Sequence, residues 1–340
     1  MQRPMMNPMF LDGQLPPPVR RLSLPRRLWG ALRWVVGLLF RDINPWAPRS
    51  FLNIEDSPLI VRFIRGLAYR LLLLPLLVLA LAGTFVYLGT HPLQPRTAAD
   101  PVTRGTYYDP VSFLAADGTR LDAWLVPLLD EKLVLQQREQ FLGRRSPAVV
   151  LVHGTDGDRA ELLPLAGPLH DAGFVVLLLA LRSTHPGTGT TFGLREAEDV
   201  RAAFDMLRRR SNIDGDRIGV IGIGSGANAA ALAAARDGNI RALVLDRPIR
   251  HFDEVLNSRL TPSQPWLQWI RPVCKFTFEL AYRVDAEELE VTRLLEGGRI
   301  SNVLVFDAQS TGGGVLLPRT RDFLREHLIA APDTATANLP

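Results

Sequence analysis

One stretch constrains the fold more than any other: Arg217-Ile-Gly-Val-Ile-Gly-Ile-Gly-Ser-Gly-Ala-Asn228. A β-branched run, Ile218 to Ile223, ends in alternating glycines and passes without a spacer into an alanine-rich segment. β-Branched residues favour strands and alanine favours helices. The stretch therefore reads as a buried strand, a very tight turn and a helix. A strand followed at once by a helix is the repeating unit of a parallel sheet.

The rest of the soluble part keeps this rhythm. Ala148–Val152, Phe174–Leu181, Ala242–Asp246 and Asn302–Asp307 are short apolar runs. Between and after them, Ala160–Ala172, Leu194–Arg210, Ala227–Arg236 and Pro318–Leu328 carry helical patterning. On Leu194–Arg210 the residues Ala197, Val200, Ala203, Phe204 and Leu207 share one face. Strands apolar throughout, alternating with helices, predict an α/β fold: a mostly parallel sheet covered by helices on both faces. Pro110–Leu114, Asp117-Gly118 and Leu121–Val126 predict an antiparallel hairpin leading into it. Residues 248–299 break the rhythm with Pro262, Pro265, Pro272, Trp266 and Trp269, and predict a cap over the sheet's C-terminal edge.

The chain before residue 107 has a different character. Leu71–Thr90 is leucine-rich and uncharged. At ~1.5 Å per residue it has the ~30 Å length of a bilayer's hydrocarbon core. The expected organisation is a cytoplasmic segment over 1–65, disordered at first, with a short interfacial helix at Leu28–Phe40. A transmembrane helix over 66–90 and a Pro/Thr linker over 91–106 follow. The globular domain covers 107–330, and 331–340 is a tail. Arg49, Arg62, Arg65 and Arg70 precede the span closely, against Arg96 and Arg104 after it. The positive-inside rule then puts the N-terminus in the cytoplasm and the domain outside the cytoplasmic membrane, the span acting as an uncleaved signal anchor.

Charge bears on partners. Residues 1–90 hold 11 arginines against Asp12, Asp42, Glu55 and Asp56, so of the chain's net +4 this region carries +7 and the globular part −3. No basic patch on the domain calls for nucleic acid. The single cysteine, Cys274, excludes an internal disulfide and a cysteine zinc cluster. No P-loop lysine is present, and Gly222-x-Gly224-x-Gly226 lacks the G-x-G-x-x-G spacing of a dinucleotide loop. No cofactor or metal is expected.

Several motifs stand together in residues 107–328: Pro110-Val-Ser-Phe with Asp117-Gly118, Val150-Leu-Val-His-Gly154, Thr191-Phe-Gly-Leu-Arg-Glu-Ala-Glu-Asp-Val200 and Asp216-Arg-Ile-Gly-Val-Ile-Gly222. In this combination the chain resembles the α/β-hydrolase superfamily, near its serine-aminopeptidase, dienelactone-hydrolase and prolyl-oligopeptidase-like branch. That family places a nucleophilic serine on the strand-to-helix turn as G-x-S-x-G, with a histidine base and an orienting carboxylate. Here the frame reads Gly222-Ile223-Gly224-Ser225-Gly226. Gly224 occupies the nucleophile's position, and Ser225 stands one place late, where its hydroxyl is expected to cap the following helix. The resemblance implies an acid after the strand at 302–307, where Thr311 falls in its place, with Asp246 after the preceding strand as a weaker alternative. It implies a histidine further on, yet none stands between Ala308 and Glu326. His185, in the loop Arg182-Ser-Thr-His-Pro-Gly, and His251, at the start of the cap, are base candidates outside the family order. Gly154 and Thr155 form the oxyanion-type loop, and the Ser225 N–H is the expected second donor. His153 is expected to support that loop.

Degeneracy at all these positions leads to an expected function. The chain reads as a membrane-anchored, non-catalytic binding or scaffold module, with a small-molecule or peptide ligand beneath the cap. The alternative is an active esterase or peptidase using Ser225 with a non-standard base.

Overall fold

The computed structural model describes residues 59–92, 107–128, 145–236, 238–261, 264–296, 300, 302–306 and 316–329. The segment 28–40, most of the linker, Asp130–Leu142, Asp307, Thr311 and the tail lie outside them. The chain divides into two compact units, Met1–Leu76 and Leu77–Pro340.

Helix α1 runs from Leu59 to Thr90, with Pro75 inside it. Within it Leu71–Thr90 is long and apolar enough to cross a membrane. Leu71, Leu72, Leu74 and Leu76 are exposed. In the second unit the last turns of α1 are not a bare stalk. Ala82, Val86 and Thr90 are buried, the first two in the main apolar core.

The second unit is built on a seven-stranded sheet in the order β1-β2-β4-β3-β5-β6-β7. β1 (Asp109–Leu114) and β2 (Arg120–Val126) form the antiparallel hairpin, and β2 runs antiparallel to β4. β3 (Ser146–Val152), β4 (Val175–Leu179), β5 (Ile213–Ile223), β6 (Ala242–Asp246) and β7 (Val303–Phe306) are mutually parallel. Side chains alternate across a strand, so apolar runs feed two cores at once. Ala148, Val150 and Val152 of β3 enter one core, while Val149 and Leu151 enter the other. The first core is closed by α3 (Glu196–Arg208), α4 (Ser225–Arg236) and the cap. The second is closed by α2 (Leu163–Asp171) and the last helix (Leu316–Leu328).

Two local features position the site. The Arg182 guanidinium is buried and donates to Asp199 Oδ1 at 2.8 Å and to Asp117 Oδ2 at 2.5 Å. It ties the β1–β2 turn and α3 to the loop after β4. The cap after β6 contains α5 (Arg271–Tyr282), whose Phe278 packs against Phe252 and Phe192.

Candidate functional site

The site grows from the end of β5. Ile223 closes the strand, Gly224 makes the turn and Ser225 opens α4. Gly224 has φ +58°, and its N–H donates to the Asp246 carbonyl at 2.8 Å. A residue with a side chain is strained in that left-handed region, whereas glycine is not. The flanking glycines serve close packing. A Cβ at Gly226 would lie 2.3 Å from the His153 carbonyl oxygen, and one at Gly222 would lie 2.4 Å from the Gly226 carbonyl oxygen. The strand, the turn and the loop after β3 are thus pressed together at backbone distance.

A side chain at Gly224 would meet little: the nearest heavy atom to a Cβ there is Gly154 Cα at 3.9 Å. Gly154 in turn would carry its own Cβ 3.9 Å from the Ser225 nitrogen. The strand order, with only its opening hairpin antiparallel, and this left-handed turn between the fifth strand and a helix decide the architecture. The chain has the α/β-hydrolase fold. Gly224 sits at the tip of the turn between β5 and α4.

The elbow of this hydrolase fold brings some of the expected residues together and leaves others apart. Ser225 is only 6% exposed. Its hydroxyl shares a 2.6 Å hydrogen bond with Thr155 Oγ1. That is a correction: the hydroxyl reaches across to the loop after β3 instead of capping α4. Thr155 lies 3.4 Å from Thr190 Oγ1, which donates to Glu196 Oε1 at 3.0 Å. The four side chains form a buried polar row ending on a carboxylate. Glu196 is already engaged by the Thr191 and Gly193 N–H groups and the Thr191 hydroxyl. It serves as the structural acceptor that orders the loop before α3.

No histidine joins this row among the described residues. His153 is buried between Gly154, whose carbonyl faces Nδ1 at 2.8 Å, and Leu181, whose N–H donates to Nε2 at 3.2 Å. Burial pushes its pKa down, so the ring is neutral and both nitrogens are occupied. His185 ends the short helical turn Arg182–Thr184, and His251 precedes Phe252–Val255 on the surface. Neither ring bonds to Ser225 or to Asp246. Asp246 is buried with Oδ1 unpartnered, and Oδ2 lies 3.3 Å from Arg247 Nε. Its backbone carbonyl, not its carboxylate, holds the elbow, by accepting from the Gly224 N–H. Among the described residues no strand follows β7 before the closing helix, and no cluster of three or more His, Cys, Asp or Glu side chains has the placement to hold a metal.

The elbow is also roofed. The Thr190 N–H donates to the Thr90 carbonyl at 2.8 Å, and the Tyr282 hydroxyl donates to Thr90 Oγ1 at 2.8 Å. Thr90, Thr190 and Tyr282 carried no signal in the sequence, because three distant segments supply them. The Thr191–Glu196 bonds were within reach of the sequence as a helix-start pattern. Two surface hollows lie away from the elbow, one lined by Asp117, Arg182, Arg195 and Arg283 among others, the second between β1 and α3.

Comparison with known proteins gives relatives of limited extent. No protein-family model matches the chain. The uncharacterized protein Rv2307c of Mycobacterium tuberculosis is 36% identical over 141 residues, covering 41% of this chain and 45% of that protein. The uncharacterized protein YfhR of Escherichia coli is 27% identical over 159 residues, covering 45% of this chain and 51% of its own length. The match therefore spans about half the length of these curated relatives. Among solved structures, the esterase Pf2001 of Pyrococcus furiosus is similar with a TM-score of 0.49 and 20% identity, covering 70% of this chain and 98% of the esterase. Dipeptidyl peptidase 4 of Porphyromonas gingivalis gives a TM-score of 0.46 at 15% identity, covering 66% of this chain and 36% of the peptidase.

Proposed function

We propose that this protein is a membrane-anchored, catalytically inactive hydrolase-fold module that binds a small molecule or peptide, or scaffolds a partner. The observation that carries this reading is Gly224. The elbow tip has the left-handed backbone and the open space of a nucleophile position, but no side chain. Ser225 does not substitute for it. Its hydroxyl is committed to Thr155, and among the described residues no histidine bonds to it, whereas nucleophilic catalysis by serine requires a base within about 3 Å.

Leu71–Thr90 supports the anchoring, and the arginines before it support a cytoplasmic N-terminus with the domain on the far side of the cytoplasmic membrane.

Labelling of the full-length protein with a fluorophosphonate tests the catalytic half of the proposal. No adduct is expected. An adduct at Ser225 that disappears in Ser225→Ala would overturn it in favour of an esterase or peptidase. Orientation is tested by reporters fused after Pro340. A reporter active only in the cytoplasm contradicts the proposed topology.

A further inference from the structure

The C-terminal half of α1 and the cap helix α5 lie side by side. A Cβ at Gly83 would touch Thr277 Cγ2 at 4.0 Å, and seven residues later Thr90 accepts a hydrogen bond from Tyr282. The contacts advance in the same direction along both helices. This fixes a depth. If Leu71–Thr90 fills a hydrocarbon core of ~30 Å, Gly83 lies ~10 Å below the Thr90 edge, well inside the ~15 Å of one leaflet. Thr277 must then lie at that depth too. A cap packed there cannot stay clear of lipid.

The surface of the cap matches this demand. Trp266 is 72% exposed, Trp269 56%, Phe276 58% and Leu280 63%. On the helix from Trp269 onward, positions 269, 272, 276 and 280 follow a spacing of three or four and form one stripe, Trp-Pro-Phe-Leu. No charge interrupts it. The charged residues of α5 stand outside it and are paired within the cap: Arg271 with Asp253 at 3.2 Å, and Lys275 with Glu287 at 3.3 Å. Thr277, which faces α1, flanks Phe276. The stripe is therefore continuous with the exposed flank of α1, where Leu79, Leu81 and Leu88 also show. An apolar patch of this kind on a water-soluble surface marks an interaction site.

We propose that this stripe, Trp266 to Leu280, is a lipid-facing surface that seats the cap in the leaflet at the Thr90 end of the span. The proposal rests on the anchoring described above. It adds that the hydrolase-fold domain itself enters the bilayer, cap first, beside its own anchor.

Nitroxide depth measurements on the full-length protein, in vesicles of phosphatidylcholine and phosphatidylglycerol, test it. Labels are placed by Phe276→Cys, Leu280→Cys, Leu72→Cys in the anchor and Asp216→Cys near the start of β5, at the opposite end of that strand from the elbow. The first three positions are exposed in the isolated chain, and native Cys274 is buried. The expected result is collision with oxygen exceeding collision with a water-soluble nickel chelate at 276, 280 and 72, reversed at 216. Water exposure at 276 and 280 with 72 in lipid overturns the proposal and leaves the anchor intact. Water exposure at 72 as well overturns the anchoring and the proposal together. Labels at 276 and 280 shielded from both reagents mean that protein covers the stripe, and also overturn it.

Discussion

Gly224 and Ser225 stand side by side where β5 passes into α4. Gly224 takes the left-handed backbone, and Ser225 keeps a hydroxyl turned towards Thr155. Gly224→Ser should fold, because the space above the turn is open, but with a loss of about 1–2 kcal/mol for the strained φ. A lowered thermal midpoint and p-nitrophenyl ester hydrolysis still at background are expected, since no histidine among the described residues bonds at the elbow. The one-residue offset of Ser225 from the G-x-S-x-G frame is visible in the sequence because it depends on register along one strand. The Thr155–Ser225 bond was not, because 70 residues separate its ends. A second residue with a definite signature is Asp117. Partial burial pushes its pKa up, but hydrogen bonds from Thr119 and Arg182 outweigh burial and hold it at about 2. A carboxylate depressed on folding stabilises the protein above its ordinary value of 3.8, and that contribution is lost as pH falls from 3.8 towards 2. Melting curves should therefore show wild type more stable than Asp117→Asn at neutral pH, with the gap closing over that acid window. The gap should stay under about 1 kcal/mol, because the carboxylate is half in solvent.

At the scale of elements, the sheet was legible because apolar runs of four to eight residues repeat between helical segments. β5 begins five residues before its β-branched run, Ile218 to Ile223. Its first part, Ile213 to Arg217, carries Asp214, Asp216 and Arg217, yet Ile213 still pairs with Ser146. Polar side chains at a strand's exposed end hide a ladder that only the neighbouring strand defines. The glycines around the elbow were legible as a turn, but not as a packing joint. Gly226→Ala would place a methyl 2.3 Å from a backbone oxygen that cannot swing away. Its urea midpoint should fall by the equivalent of about 3 kcal/mol with little change in slope. Gly167, inside α2, is followed by Pro168, whose ring meets a Cβ on a helical residue before it. Gly167→Ala should therefore bring none of the gain that alanine gives at an open helical position, and its urea midpoint should not rise.

Across the whole molecule, the sequence separates an apolar span, a linker and a domain, and it could not show that the last turns of α1 are domain core. Apolar periodicity is the same whether a helix faces lipid or protein, so the buried side of Ala82, Val86 and Thr90 had no distinct mark. Gly89 reports this joint. A Cβ there would lie 2.3 Å from the Arg259 carbonyl oxygen, and Arg259 is paired with Asp156 in the loop after β3. Gly89→Leu should wedge α1 away from the cap. Faster hydrogen–deuterium exchange at the Thr190 amide, which donates to Thr90, is the expected readout. The roof formed by Thr90, Thr190 and Tyr282 has one more consequence. A domain on a slack tether sweeps a hemisphere of solution and meets partners in any pose. Under the proposed anchoring, the hydrogen bonds at Thr90 make the last turn of the span part of the domain, with no slack segment between them at that residue. Encounters with a membrane-bound partner would then be a two-dimensional problem, in which the rate follows the number of molecules per area of membrane.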